Sequence, residues 1–487
     1  MSKRTKRAGT RALLALRLGV VLLVVAGVSW ARAQSPADTK PAGNTEPQPE
    51  RANVVIFLID ALRADRLGVY GYDRRPTSPR IDALAREAVV FEQAYAPAPW
   101  TLPTLVSLMT STFPCEHRTV HDRSRLSDSL VPLAERLKRL NYTTLGLFAS
   151  PYAGPDYGMH RGYDQLKPSR RNDGEKVRRL LDRHSATPFF LYIHNTEPRT
   201  PHRFAPIHTD GFRDVASATR LEIRKHYRAS RQLTRVDFTQ KRRRGTTDNT
   251  AEQDKQMAAL NAMLDDYNEL YDASVRLADA YIGSVIETLK QRGVWDKTLF
   301  ILLSDHGEEM NEHGGWFHDQ SVYEELMHVP LIIHFPGGRY GGQRVESVVS
   351  LVDVLPTILD CVRAPDLARD ARGRSLMPLV RDGQSAEADD FVVPGMRINR
   401  RKYYRPWKES RGDLNIVVRR GEWKGIWNVE PDRLELYNLT SDPREQHDVS
   451  AANPELALAM QVFARLWYQE CRKNATEAPA RSAKPDE

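Results

Sequence analysis

Two apolar runs, residues 54–59 and 298–303, proceed without a polar interruption and each stop at charged or imidazole groups. Val54-Val55-Ile56-Phe57-Leu58-Ile59 runs into Asp60. Thr298-Leu299-Phe300-Ile301-Leu302-Leu303 runs into Ser304-Asp305-His306-Gly307-Glu308. Unbroken runs rich in β-branched and aliphatic residues predict strands buried on both faces, as in a parallel sheet covered by helices. Further strands are predicted over 143–148, 189–194 and 329–335. Helical signals lie between them. Ser78-Pro79 opens one helix, with serine at the cap position and proline in the first turn. Residues 105–109 continue a helix after Pro103, and 130–140 have an amphipathic pattern. Residues 263–291 carry apolar positions at Leu270, Ala273, Leu277, Tyr281, Val285 and Leu289, a helical stripe. A last helix of this part spans 350–362. The alternation predicts an α/β fold, a large and mostly parallel sheet flanked by helices.

After about residue 390 the pattern shortens. Residues 415–420, 423–427 and 433–437 read as short strands separated by turns, and 454–469 as a helix with Asn453 as its cap and Pro454 in its first turn. This predicts a small C-terminal α+β subdomain over 386–473, behind a main domain over 53–385. Residues 34–52 read as a Pro-rich linker and 474–487 as a disordered tail.

The first 33 residues change how charge is read. Lys3, Arg4, Lys6, Arg7 and Arg11 precede an apolar stretch from 18 to 30, and Ala31-Arg32-Ala33 has the form of a signal-peptidase site. Arg17 leaves the apolar stretch short for a membrane span. A cleaved export signal is expected, with an uncleaved anchor as the alternative; either places the body in the periplasm or outside the cell. The whole chain of 487 residues has a formal charge of +8. Seven Lys/Arg and no acid lie in residues 1–33, which leaves 64 basic and 63 acidic residues behind. Charge therefore gives no argument for a nucleic-acid partner. The local exception is 199–244, with 13 Lys/Arg against four Asp/Glu, within a basic helical insertion at about 203–260. Such runs usually face water. The alternative is an anion-collecting flank for a polyanionic substrate or for lipid head groups at a membrane surface. Cys115, Cys361 and Cys471 allow at most one bridge and match no metal or redox spacing.

The candidate chemistry sits where strands end, because ligands of open α/β sheets bind at the carboxyl ends of strands. Asp60, Asp305 and His306 can converge on one divalent cation, whether Ca, Mg, Mn or Zn. Alone, an Asp-His pair could be a strand-end turn; two buried strands ending alike favour a metal shell. Thr101 lies just before a Pro-started helix, where free N–H groups and the positive end of the dipole suit an anionic ester. A neighbouring metal would make its hydroxyl a nucleophile; the plain alternative is an N-cap. His194 ends the 189–194 strand, and His318 follows His306 by 12 residues. Either imidazole could assist a leaving oxygen or bind a substrate oxygen, or be structural.

Together these motifs resemble the sulfatase family within the alkaline phosphatase superfamily. The resemblance covers most of residues 53–450. It rests on Asn53 through Asp60 with Arg63-Ala64-Asp65 and Tyr70-Gly71-Tyr72, and on Thr298 through Glu308 with Glu312-His313-Gly314-Gly315-Trp316. Leu351-Val352-Asp353-Val354-Leu355-Pro356-Thr357 and Glu435-Leu436-Tyr437-Asn438-Leu439 also match. It implies an alkaline-phosphatase-like fold and a hydrolase of anionic esters: sulfated or phosphorylated glycans, lipids or small molecules. The chain departs from the family at the nucleophile. Sulfatases carry Cys or Ser, then x-Pro-x-Arg, and the first residue matures to formylglycine. Here Thr101-Leu102-Pro103-Thr104-Leu105 puts threonine at the nucleophile and leucine at the arginine position. The Lys-x-His element is replaced by Phe148-Ala149-Ser150-Pro151, Pro-His-x-Pro reads Pro198-Arg199-Thr200-Pro201, and Ala61 follows Asp60. The metal half of the site is thus retained and the formylglycine half is not. Arg199 is expected to clamp the substrate anion. Thr nucleophiles resemble those of phosphoethanolamine and lipoteichoic acid transferases, so a phosphotransferase is one alternative. A degenerate, anionic-glycan-binding homologue is the other.

Overall fold

A computed structural model describes residues 51–169, 172–199, 212, 219–223, 225, 255, 258–381, 392–398 and 414–475. The expected export signal, the linker up to residue 50, most of the basic insertion and the tail beyond 475 lie outside the described residues. Among the described residues, no helix is long and apolar enough to cross a membrane.

The strands, in chain order, are β1 Asn53–Ile59, β2 Val89–Tyr95, β3 Thr143–Phe148, β4 Gln165–Pro168, β5 Phe189–Asn195, β6 Thr298–Leu303, β7 Glu309–Met310, β8 Trp316–Phe317, β9 Leu331–His334, β10 Arg344–Ser350, β11 Val392–Ile398, β12 Leu414–Arg420, β13 Trp423–Asn428 and β14 Arg433–Asn438. The principal helices are α1 Pro79–Arg86, α2 Thr101–Thr110, α3 Gly174–His184, α4 Leu264–Gln291, α5 Val354–Cys361 and α6 Pro454–Lys473.

Eight strands form the main sheet in the order β10-β2-β9-β6-β1-β5-β3-β4. Strand β1 pairs in parallel with β5 and β6, while β9 runs antiparallel to both β2 and β6. The sheet is therefore mostly parallel with one reversed strand. The two apolar runs are adjacent central strands, and side-chain alternation sends their residues into two cores. Val54, Ile56 and Leu58 pack with Phe190, Tyr192, Ile301 and Leu303 against Leu102, Leu105 and Val106 of α2 and Ile358 of α5. Val55, Phe57 and Ile59 pack with Leu191, Ile193, Phe300 and Leu302 against Tyr271, Ala278 and Ile282 of α4. Removing one such fully buried side chain, as in Ile56→Ala, would cost about 2–5 kcal/mol.

Several local expectations are corrected. Helix α2 begins at Thr101, ahead of Pro103, because proline is tolerated in a first turn where its missing N–H has no partner to lose. The 130–140 helix is confined to Leu133–Lys138. Ser78 occupies the cap position of α1 without a side-chain capping bond; Asp279 of α4 caps it instead, accepting from the amides of Arg80 and Ile81, both at 2.8 Å. Asn453 likewise precedes α6 without a side-chain capping bond.

Strands β11 to β14 form a separate antiparallel sheet, on which α6 packs through Met460 and Ala464. One disulfide, Cys115–Cys471, ties the short helix Pro114–His117 of the main body to α6 across 356 residues of sequence. Cys361 is free.

Candidate active site

The register of the central strands brings the candidate residues together. Leu58 lies opposite His194 on one side and Leu303 on the other. Asp60, His194, Asp305 and His306 therefore gather at the carboxyl ends of three adjacent strands. Ala61 adopts a left-handed conformation at φ 63°, a strained setting for a residue with a Cβ. Its amide donates to Oδ1 of Asp305 at 3.2 Å. Ser304 staples the two strand ends: its Oγ accepts from the Leu62 amide at 2.9 Å and lies 2.7 Å from the carbonyls of Ile59 and His306.

Asp60, His194 and Asp305 offer ligand atoms that all lie within 4.8 Å of one another. Nε2 of His306 is 3.5 Å from Oδ1 of Asp60 and 3.6 Å from Oδ2 of Asp305. Nε2 of His194 is 3.5 Å from Oδ2 of Asp60. His194, at a strand end like the expected ligands, was read as assisting a leaving oxygen, binding a substrate oxygen or being structural; its geometry puts it with the carboxylates. All four side chains are fully buried.

The electrostatics suit a divalent cation. Burial acts to raise the pKa of Asp60, but Arg199 first, then His194 and His306, hold it well below the usual carboxylate range. Burial and then the Asp60 charge push Asp305 up to about 7. Burial pushes His306 down to about 4, leaving a neutral imidazole at pH 7. Oδ2 of Asp305 and Nε2 of His194 are buried without a hydrogen-bond partner. Unsatisfied buried oxygen and nitrogen atoms of this kind are costly, and two carboxylates with two imidazoles are a donor set that divalent metals take.

Thr101 joins this cluster as the first residue of α2; Trp100, not Thr101, is at the cap position. Nδ1 of His306 is 2.7 Å from the Gly307 carbonyl, so it carries the proton and Nε2 accepts. The Thr101 hydroxyl then donates to His306 Nε2 at 3.2 Å and accepts from Arg199 Nη1 at 3.0 Å. The same Nη1 reaches both carboxylate oxygens of Asp60, at 3.2 and 2.8 Å. Arg199 Nη2 donates to His318 Nε2 at 3.1 Å, and His318 Nδ1 faces Oε1 of Glu308 at 2.9 Å. All seven candidates, Asp60, Thr101, His194, Arg199, Asp305, His306 and His318, thus belong to one contact network. The sequence reading assigned no role to Glu308, Ser304 or Tyr192, whose hydroxyl lies 3.0 Å from Nδ1 of His194. The adjacent Asp305-His306-Gly307 motif was the available signal for Glu308. Leu105, at the arginine position of the family pattern, is buried in the apolar core.

The sulfatase family model matches residues 52–364, and the model described as N-sulphoglucosamine sulphohydrolase, C-terminal, matches 311–472. Arylsulfatase K of Bos taurus is 36% identical over 201 residues, 39% of this chain and 34% of that protein; the match spans about a third of that relative's length. N-acetylglucosamine-6-O-sulfatase of Bacteroides thetaiotaomicron is 22% identical over 502 residues, covering 88% of this chain and 86% of that protein. Among solved structures, the phosphonate monoester hydrolase of Agrobacterium radiobacter superposes with a TM-score of 0.62 at 20% identity, covering 87% of this chain and 96% of that one. The family model spans well over half of the chain, and on that ground this chain belongs to the sulfatase family.

Proposed function

We propose that the protein is an exported, metal-dependent hydrolase of sulfate or phosphate esters. The observation that carries this is the Thr101 hydroxyl, held between His306 Nε2 and Arg199 Nη1 beside Asp60. Asp60, Asp305 and His306 would hold one divalent cation, with His194 as a further imidazole turned toward Asp60. When bound, the cation lowers the pKa of a neighbouring hydroxyl and neutralises developing negative charge.

The rest falls to the chain itself. Thr101 Oγ1 releases its proton to solvent and attacks the sulfur or phosphorus of the ester, and the bond to the ester oxygen breaks as the new one forms. Arg199 binds the anionic oxygens in a planar, charge-assisted contact. His318, in its imidazolium form, gives its Nε2 proton to the leaving oxygen. Water then cleaves the threonyl ester and regenerates Thr101. The relatives named above act on a sulfated sugar and on phosphonate monoesters, which supports a small anionic ester or a sulfated or phosphorylated glycan as substrate. The disulfide supports export, since such bonds persist in oxidising compartments.

A second reading is favoured by the threonine itself. The secondary hydroxyl of threonine cannot be oxidised to the aldehyde of formylglycine, and a phospho-threonine intermediate suits transfer of the group to an alcohol as well as to water. The test is a panel of aryl sulfate, phosphate monoester, phosphodiester and phosphonate substrates with Ca, Mg, Mn and Zn, with Asp305→Ala as control. Metal-dependent turnover lost in the control supports a hydrolase; transfer to added alcohol at the expense of hydrolysis supports the second reading. No turnover on the whole panel, with metal still bound, would favour a glycan-binding homologue.

A further inference from the structure

We propose that Arg199 competes with the divalent cation for Asp60 and, once displaced, takes up the anionic ester, so that cation and anion bind cooperatively. The inference rests on the metal-site reading above and concerns what this chain adds to it. Nη1 of Arg199 spans both oxygens of Asp60, at 3.2 and 2.8 Å. These are the oxygens that face His306 Nε2 and His194 Nε2, each at 3.5 Å. A cation held by Asp60, Asp305 and the imidazoles must share that carboxylate with a permanent guanidinium charge. At such separations like charges disfavour one another strongly, more so in a buried site.

Arg199 has a second place to go. Its Nη2 donates to His318 Nε2 at 3.1 Å, and His318 is in turn held by Glu308. Its Nη1 is 3.0 Å from Thr101 Oγ1, so an anionic oxygen brought to Thr101 comes within reach of the same N–H group. The guanidinium is also the more exposed partner: its side chain is 16% exposed where that of Asp60 is 0%. A modest turn of the guanidinium exchanges the Asp60 carboxylate for a substrate oxygen and releases His318 Nε2, which can then carry a proton. Cation binding favours that turn, and by linkage anion binding favours the cation by the same factor.

Titration calorimetry of Mn into the chelator-treated protein, with and without inorganic sulfate or phosphate, tests this. Arg199→Ala and Arg199→Gln are each expected to bind the cation at least about fivefold more tightly than wild type in the absence of anion, the lower end of usual coupling. Sulfate or phosphate should tighten cation binding by wild type by a similar factor and leave both variants unchanged. Equal or weaker cation binding by the variants, or an anion effect that survives in them, overturns the proposal while the metal site stands. A wild type that binds no cation overturns the metal site and this inference together.

Discussion

Oε1 of Glu308 lies 2.9 Å from Nδ1 of His318, and this contact turns the other ring nitrogen toward Arg199. Arg199 can only donate, so His318 Nε2 accepts from it and the ring proton sits on Nδ1, toward the carboxylate. Glu308 thus holds the ring with Nε2 toward Arg199 and stabilises the imidazolium form when it arises. His318→Ala should lower kcat about 10²–10⁴-fold on alkyl esters, the usual range for general acid catalysis. On aryl esters, whose leaving oxygen needs little protonation, the loss should be much smaller. Glu308→Gln should give the same pattern at reduced size. Steady-state kinetics on matched alkyl and aryl substrates check it; an equal loss on both classes would assign His318 to binding.

The proposed mechanism makes Thr101 the nucleophile. Its hydroxyl touches both His306 and Arg199, and removing a nucleophile that acts within such a set typically costs on the order of 10⁴–10⁶ in kcat. Thr101→Ala should show a loss of that size, and Thr101→Ser should keep measurable turnover. Mass spectrometry of acid-quenched reactions should find a sulfated or phosphorylated peptide carrying Thr101. A Thr101→Ala protein with more than a tenth of wild-type kcat would remove threonine from the mechanism.

How far the sequence carried the fold can be argued element by element. Strands β1 and β6 were legible because both faces are buried, so every position after the first is apolar. Strand β2 was missed because Glu92 and Gln93 interrupt it at half-buried positions. Strand β10, at the sheet edge, alternates exposed Arg344 and Glu346 with buried Val345 and Val349. The antiparallel direction of β9 leaves no mark in its composition. At the site, Asp60, Asp305 and His306 were legible because they follow unbroken strands. The partner of His194 was not: a strand-end histidine reveals its position but not which carboxylate it faces. The capping carboxylate of Asp279 was equally hidden, since nothing local links residue 279 to residues 80 and 81.

Gly307 is required for space, since no positive φ is involved. A Cβ there would lie 1.9 Å from the carbonyl oxygen of Glu325, a backbone atom that cannot yield cheaply. The turn is pinned by the Gly307 amide on Leu326 O at 2.9 Å and the Glu308 amide on Glu325 O at 3.1 Å. Gly307→Ala should therefore displace His306 and Glu308 together, at a cost of about 1–3 kcal/mol for overpacking. The divalent-cation-induced rise in Tm should shrink more than the Tm of the metal-free protein. A variant with a lower Tm and an undiminished cation effect would separate the turn from the metal site.

The Cys115–Cys471 bridge joins the segment just after α2 to α6. Loss of a native disulfide typically costs about 2–5 kcal/mol. Cys471→Ser, or reduction, should lower the denaturant midpoint accordingly, and Cys361→Ser, at a half-buried free thiol, should change it far less. Urea unfolding of the three proteins with and without dithiothreitol checks this; an unchanged midpoint on reduction would mean the bridge is absent in solution.

The His313–Glu325 contact predicts where alkaline pH acts. Nδ1 of His313 is 2.8 Å from Oε1 of Glu325, and Nε2 is 3.2 Å from the carbonyl of Glu445, which precedes α6. The ring also stacks on Tyr323 with centroids 3.6 Å apart. Burial works against the charged ring, but the hydrogen bond and charge of Glu325 outweigh it and push the imidazole up to about 9. An unfolded histidine titrates near about 6.5. Because the folded value is the higher one, the folded state holds the proton more tightly. The stability from this contact is fully present below about pH 6.5 and is lost as pH rises through about 9. The Tm difference between wild type and His313→Gln should be constant at acid pH and close across that window. A difference that stays the same from pH 6 to pH 10 would show a neutral ring, held by stacking and hydrogen bonds alone.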